Sequence, residues 1–166
     1  MKITLRKPES SDSEEFLLRV KNSRALHRPW VYPPDTQQKY SEYLKRIQKE
    51  THAGFLICRA EDDAITGVVN INEIVFRNFK SGYLGFYAFV PYAKLGFMSV
   101  GLKKVSDHAF RKIGLHRLEA NIQPANKRSI KLVERLGFYK EGLSKDYLKI
   151  GGRWRDHERW ALVKKV

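Results

Sequence analysis

The chain is poor in the residues that mark secreted, membrane-embedded and metal-dependent proteins. Cys58 is its one cysteine in 166 residues, so no internal disulfide can form. It lies in the apolar run Phe55-Leu56-Ile57-Cys58, where a small buried hydrophobe is expected rather than a nucleophile. The five histidines, His27, His52, His108, His116 and His157, are scattered, and no Cys/His spacing resembles a ligand set, so no metal is expected. No apolar run approaches the roughly 20 residues of a membrane span. Met1 to Arg6 alternates like a strand and lacks the apolar core of a signal peptide. The expected compartment is therefore the reducing cytoplasm, with no membrane partner. Acidic residues are scarce too: 18 Asp and Glu face 32 Lys and Arg, a net charge of +14. Such a field favours polyanions, from nucleotide phosphates to ribosomal RNA, and says nothing about fold.

What is present suffices for one domain spanning 1–166. Hydrophobic residues make up 42% and aromatics 12%, and a chain of this length buries about two-thirds of its extended surface. Period-two patterning predicts strands over Lys2 to Lys7, Gly54 to Arg59, Thr66 to Glu73, Ser81 to Val90, Arg117 to Ile122, Glu141 to Ile150 and Arg155 to Val163. Gly151-Gly152 is a hairpin turn between the last two. Ser11-Asp12-Ser13-Glu14 reads as a capping box opening the first helix. Tyr40, Tyr43, Leu44 and Ile47 place a second helix over Asp35 to Glu50. Met98, Leu102, Val105, Ala109 and Ile113 mark one face of a third, closed by Gly114. Ile130, Val133 and Leu136 mark the buried face of a fourth, ending at Gly137. The expected fold class is α/β: a mixed, mostly antiparallel central sheet with helices on both faces, and a parallel pair where strand, helix and strand follow in series.

Chemistry concentrates between Pro91 and Phe138. The turn Ala93-Lys94-Leu95-Gly96-Phe97-Met98-Ser99 joins an apolar strand to a helix. Such a turn aims free backbone N–H groups at one point, where a phosphate binds best. After the next strand, Asn126-Lys127-Arg128-Ser129 opens another helix, with Asn126 as its N-cap. Two helix starts, one after each of two neighbouring strands, resemble the acyl-CoA site of GNAT-family N-acetyltransferases. The wording His116-Arg117-Leu118-Glu119-Ala120-Asn121, Asn126-Lys127-Arg128-Ser129 and Arg135-Leu136-Gly137-Phe138 resembles the RimJ/RimL branch, which acetylates protein N-termini. The resemblance covers most of the chain and is most specific from Gly114 onward.

That resemblance implies acetyl-CoA as cosubstrate and a set of roles. Lys94, Leu95, Gly96, Phe97, Met98 and Ser99 would hold the pyrophosphate, largely through backbone N–H groups. Of the three marked positions in the family's glycine signature, here Ala93, Gly96 and Met98, only Gly96 matches. Phe86, Tyr87 and Ala88 would pair with pantetheine as if it were another strand, and a backbone N–H there would serve the thioester oxygen. Asn126 would contact the pantetheine arm, and Ser129 would protonate the leaving thiolate. The acid–base pair of some relatives is missing, since Asn121 stands where they carry Glu and Val133 where they carry Tyr. Among the remaining carboxylates, Glu73, Asp146 and Glu158, Glu73 is the expected base. Asp156 is expected to be structural. The expected reaction is direct transfer to a protein α-amine, most of all that of a ribosomal protein, with a basic surface available to ribosomal RNA. The loop from Trp30 to Tyr32 should wall the acceptor site. The alternatives are a polyamine or aminoglycoside acetyltransferase and, in another class, an RNA- or ribosome-binding module without catalysis. A monomer and a homodimer are both compatible with the sequence.

Overall fold

Alternation along the central strands builds two cores at once. In the run Phe55-Leu56-Ile57-Cys58, Phe55 and Ile57 enter one apolar cluster while Leu56 and Cys58 enter the other. A strand buried on both faces needs no polar side, which is why this run is continuously apolar. Cys58 is fully buried, and burial pushes its thiol up to about 12, in keeping with a packing role.

The computed structural model describes residues 1–165. Its elements in chain order are β1 (Ile3–Arg6), α1 (Ser13–Asn22), α2 (Arg24–His27), α3 (Gln37–Ile47), β2 (Ala53–Arg59), β3 (Ile65–Val75), β4 (Ser81–Ala88), α4 (Phe97–His108), β5 (Arg117–Ile122), α5 (Lys127–Arg135), β6 (Tyr139–Ile150) and β7 (Arg153–Val163). They form one seven-stranded sheet in the order β1-β2-β3-β4-β5-β7-β6. Only the β4–β5 pair is parallel among the described residues, because α4 carries the chain back over the sheet between them. Helices α4 and α5 cover one face through Leu102, Val105, Ile130 and Val133. Helices α1 and α3 cover the other, where Phe16, Tyr40, Tyr43 and Phe89 interlock.

Two expectations are corrected. The first helix does not open on a Ser11–Glu14 capping box. A short 3-10 turn, Ser10–Asp12, precedes it, and the Asp12 carboxylate accepts from the Glu9 N–H at 2.8 Å. Arg6 of β1 grips that same carboxylate at 2.7 and 2.8 Å, so a tertiary ion pair fixes the entry two residues earlier. The second helix is shorter than Asp35 to Glu50. It starts after Thr36, whose hydroxyl accepts from the Lys39 N–H at 3.2 Å, and ends at Ile47. By contrast, Gly151 and Gly152, with φ of 58° and 80°, make the two-residue hairpin turn that the sequence predicts.

Candidate active site

The site exists because two neighbouring strands part. The β4–β5 ladder runs from Ser81 opposite Arg117 to Leu84 opposite Ala120 and stops there. Yet β4 continues to Ala88 and β5 to Ile122, so the facing edges beyond Leu84 and Ala120 lack each other as partners. Competing bonds draw β4 toward the helices. The ring of His27 donates from Nε2 to the Ala88 carbonyl at 2.7 Å, and the Val90 N–H donates to Ser23 Oγ at 3.0 Å. A cleft of about 1270 Å³ fills the gap and draws its lining from both faces of the sheet.

On the α4/α5 side the cleft gathers unpaired backbone N–H groups and cations. Gly96 has φ of +91°, a conformation that glycine adopts without strain. The first helical bond of α4 runs from the Val100 N–H to the Gly96 carbonyl, so the N–H groups of Gly96, Phe97, Met98 and Ser99 have no intrahelical partner. The Leu95 N–H is different, because it turns back to the Tyr92 carbonyl at 3.3 Å. At the start of α5, Asn126 Oδ1 accepts from the Ser129 backbone N–H at 3.3 Å. The cap thus uses the main chain of Ser129 and leaves both the Ser129 hydroxyl and the Asn126 NH2 for other partners. Lys94, Lys127, Arg128, Lys131 and Arg135 line the cleft, against Glu73 as its one carboxylate among the described residues.

Ten of the residues singled out from sequence line this cleft: Glu73, Phe86, Tyr87, Ala88, Lys94, Gly96, Met98, Ser99, Asn126 and Ser129. Leu95 and Phe97 do not. Leu95 points outward, 57% exposed, and Phe97 packs in the core edge-on to Tyr92 at 5.7 Å. Met98, bulky for a phosphate turn, directs its sulfur at Gly67 of β3. A Cβ on Gly67 would lie 2.5 Å from that sulfur, so the missing side chain makes room for it. Glu73 sits where the β3–β4 register breaks between Asn72 and Val75, with φ of 48°. Its carboxylate is mostly exposed and lies 3.4 Å from His52 Nε2. Asp156 accepts from Lys145 Nζ at 3.1 Å and the Asp146 N–H at 2.9 Å. Glu158 accepts from Lys140 and Trp160 on the other sheet face.

On the α1/α2 side the lining is aromatic and neutral, and most of it escapes a linear reading. His27, Trp30, Tyr83, Tyr87, Asn121, Tyr147 and His157 come from five separate segments. The loop after α2 closes this side. Tyr32 packs on the β6–β7 turn, where a Cβ on Gly151 would meet its hydroxyl at 2.5 Å, and Gln123 reaches the Pro29 carbonyl at 3.5 Å. Asn121, which stands where some relatives carry Glu, reaches the cleft by strand parity: Leu118, Ala120 and Ile122 face one core, which turns Asn121 to the other face.

A family model described as acetyltransferase (GNAT) domain matches residues 2–139. The chain belongs to the GNAT acetyltransferase family. It is 41% identical over 150 residues to the [ribosomal protein uS5]-alanine N-acetyltransferase of Escherichia coli, covering 85% of this chain and 77% of that one. It is 25% identical over 163 residues to the spermidine N(1)-acetyltransferase of Vibrio cholerae, covering 97% and 92%. Among solved structures, Mycobacterium smegmatis RimJ in complex with CoA-disulfide superposes with a TM-score of 0.88 at 24% identity, over 97% of this chain and 81% of that one.

The chain is an N-acetyltransferase, and the opened edge of β4 with the two helix starts fits the acetyl-CoA that GNAT enzymes use. Among the described residues no cluster of three His, Cys, Asp or Glu side chains could hold a metal, and no helix is long and apolar enough to cross a membrane. His27 gives this GNAT fold a pH dependence. Burial lowers its pKa from 6.5, and Nδ1 is buried without a partner, so an added proton there would meet no acceptor. The unfolded chain binds that proton near 6.5 and the folded one resists it. His27 therefore contributes stability that is fully present above about pH 6.5 and is lost as pH falls below it. We expect the melting temperature to drop between pH 7 and 5. His27→Gln, which keeps a donor for Ala88, should drop less across the same range. His108, also lowered by burial, is common to both proteins and cancels in the comparison.

Proposed function

We propose that this enzyme transfers the acetyl group of acetyl-CoA to the α-amine of a protein N-terminus, with a ribosomal protein as the leading acceptor. The observation that carries the reading is the asymmetry of the cleft: cations and helix starts on one lip, a neutral aromatic wall on the other. The relative that is 41% identical is named for transfer to a ribosomal protein, which supports the same acceptor class.

Each group then has a task. The N–H groups of Gly96 through Ser99, with Lys94, hold the pyrophosphate at the positive end of α4. The Asn126 NH2, free because its oxygen is the cap, donates to the pantetheine arm. The Ala88 carbonyl is engaged by His27, and Tyr87 faces Val68 of β3 in the ladder, so strand-like pairing with pantetheine falls on Phe86. A β4 N–H beyond Leu84 serves the thioester oxygen as charge develops on it. Ser129 Oγ donates a proton to the departing sulfur. Holding both reactants aligned supplies most of the barrier reduction.

Acceptor choice follows from charge and from proton affinity. An α-amine has a pKa of about 7.7–8.0, so its neutral form costs under about 1 kcal/mol near pH 7.5, whereas a lysine side chain costs nearly 4 kcal/mol. A polyamine brings several positive charges into a cleft with one carboxylate, Glu73, and five Lys and Arg. That disfavours the spermidine reading despite the Vibrio cholerae relative. The test is a direct competition. With acetyl-CoA saturating, a peptide with a free N-terminal alanine should show a kcat/KM at least tenfold above that of spermidine. The reverse order would refute the acceptor assignment.

A further inference from the structure

The geometry points to His157 as the base of the transfer, with Asn121 as the group that orients the incoming amine. The inference rests on the acetyl-transfer reading but not on which amine is used. His157 is 3% exposed, in the middle of β7, and its ring lines the cleft. Nδ1 lies 2.9 Å from the carbonyl of Arg155, two residues earlier. A carbonyl can only accept, so Nδ1 carries the hydrogen and the ring's basic lone pair is on Nε2. Fixing one nitrogen on main chain in this way orients a base and sets its tautomer.

Asn121 supplies the second, independent observation. Its Oδ1 is buried with no partner, and the residue also lines the cleft. A buried acceptor left unpaired is costly, and an N–H of the substrate would satisfy it. Asn121 pairs with Arg159 across β5 and β7, so His157 is its diagonal neighbour on the same sheet face, about 7–8 Å away. Asn121 is also the first β5 residue past the last β4–β5 pair, Leu84 with Ala120, where the strands begin to part. The two groups therefore sit together beside the point where the thioester would enter, on the sheet face opposite α4 and α5.

Charged and titratable groups face His157 from each element packed against it. On the same face of β7, Arg155 and Arg159 lie two residues to either side, and each has a buried Nε without a partner. From β6, Tyr147 packs at 6.4 Å between ring centroids. From β4, Tyr83 is a phenol whose pKa is raised by burial and by Glu119, so it stays protonated. Asp156, next in the chain, is tied to Lys145 and to the Asp146 N–H. Glu73, by contrast, is largely in solvent beside His52.

The step balances as follows. His157 Nε2 takes one proton from the amine as its nitrogen forms the bond to the thioester carbon. The carbon–sulfur bond breaks, and the sulfur receives a proton from Ser129 Oγ. His157 then releases its proton to solvent and Ser129 regains one from water, so the net change is amine plus thioester to amide plus thiol.

His157→Asn tests this, because the asparagine amide can still donate to the Arg155 carbonyl while the Nε2 lone pair is gone. On whichever amine the wild type acetylates best, kcat should fall about 100-fold, the low end for a general base. KM for acetyl-CoA and its stabilisation of the fold should stay within twofold. Activity of His157→Ala should rise on adding imidazole, which a packing role would not produce. Activity of His157→Asn within threefold of wild type, in a protein that still binds acetyl-CoA, would overturn the assignment. So would a loss matched by loss of acetyl-CoA binding and not rescued by imidazole. If the wild type prefers spermidine to peptides, the acceptor reading fails and the same comparison on spermidine still decides the base.

Discussion

Ser129→Ala should lower kcat for acetyl transfer about 100-fold while leaving the affinity for acetyl-CoA and the melting temperature nearly unchanged. The separation is possible because the α5 cap runs from the Ser129 backbone N–H to Asn126 Oδ1 and does not use the hydroxyl. Alanine keeps that N–H and favours the helix. The lost hydroxyl can therefore act only through chemistry or a contact with the cosubstrate. Steady-state kinetics with a poor and a good thiol leaving group add a second readout. The defect should shrink with the more acidic thiol, which needs less protonation. A variant with wild-type kcat would remove Ser129 from the mechanism.

Gly96→Ala should weaken acetyl-CoA binding about tenfold. At φ of +91° a side chain is strained by about 1–2 kcal/mol, and relief of that strain would turn the N–H groups of the first α4 turn away from their common point. Gly114→Ala is the matched control. Gly114 has φ of +82° with nothing within 4 Å of a built Cβ, so it carries the same backbone penalty outside the cleft. Both variants should lose similar stability in urea, and only Gly96→Ala should raise the Kd for acetyl-CoA measured by calorimetry. Equal Kd values would mean that the turn does not hold the pyrophosphate.

The parts of the molecule governed by local pattern could be read along the chain. The stripe from Met98 to Val105, the Asn126 cap and the Gly151-Gly152 turn all depend on residues close in sequence, and each stands where expected, while Ala109 to Ile113 continue the stripe as a π-helical turn that ends at Gly114. The burial of Cys58 within its apolar run also stands as expected. What failed depended on partners far away. Arg6 from β1 relocates the first helix cap to Glu9 and Asp12. A single backbone bond to Tyr92 removes the Leu95 N–H from the free donors of the turn. The acceptor side was the least legible, because His27, Asn121, Tyr147 and His157 meet only after the sheet is assembled in the order β5-β7-β6. Sequence treats His157 as one scattered histidine among five. Its significance comes from the Arg155 carbonyl that fixes its tautomer and from the cleft that its ring lines.

The central claim is transfer to an α-amine, and the position of the acetyl group tests it most directly. A peptide with a free N-terminal alanine and an internal lysine, incubated with enzyme and acetyl-CoA and sequenced by tandem mass spectrometry, should gain one acetyl group on its first residue. The same peptide with a blocked N-terminus should stay unmodified. Acetylation of the lysine side chain in either peptide, or no transfer while spermidine is acetylated readily, would contradict the account.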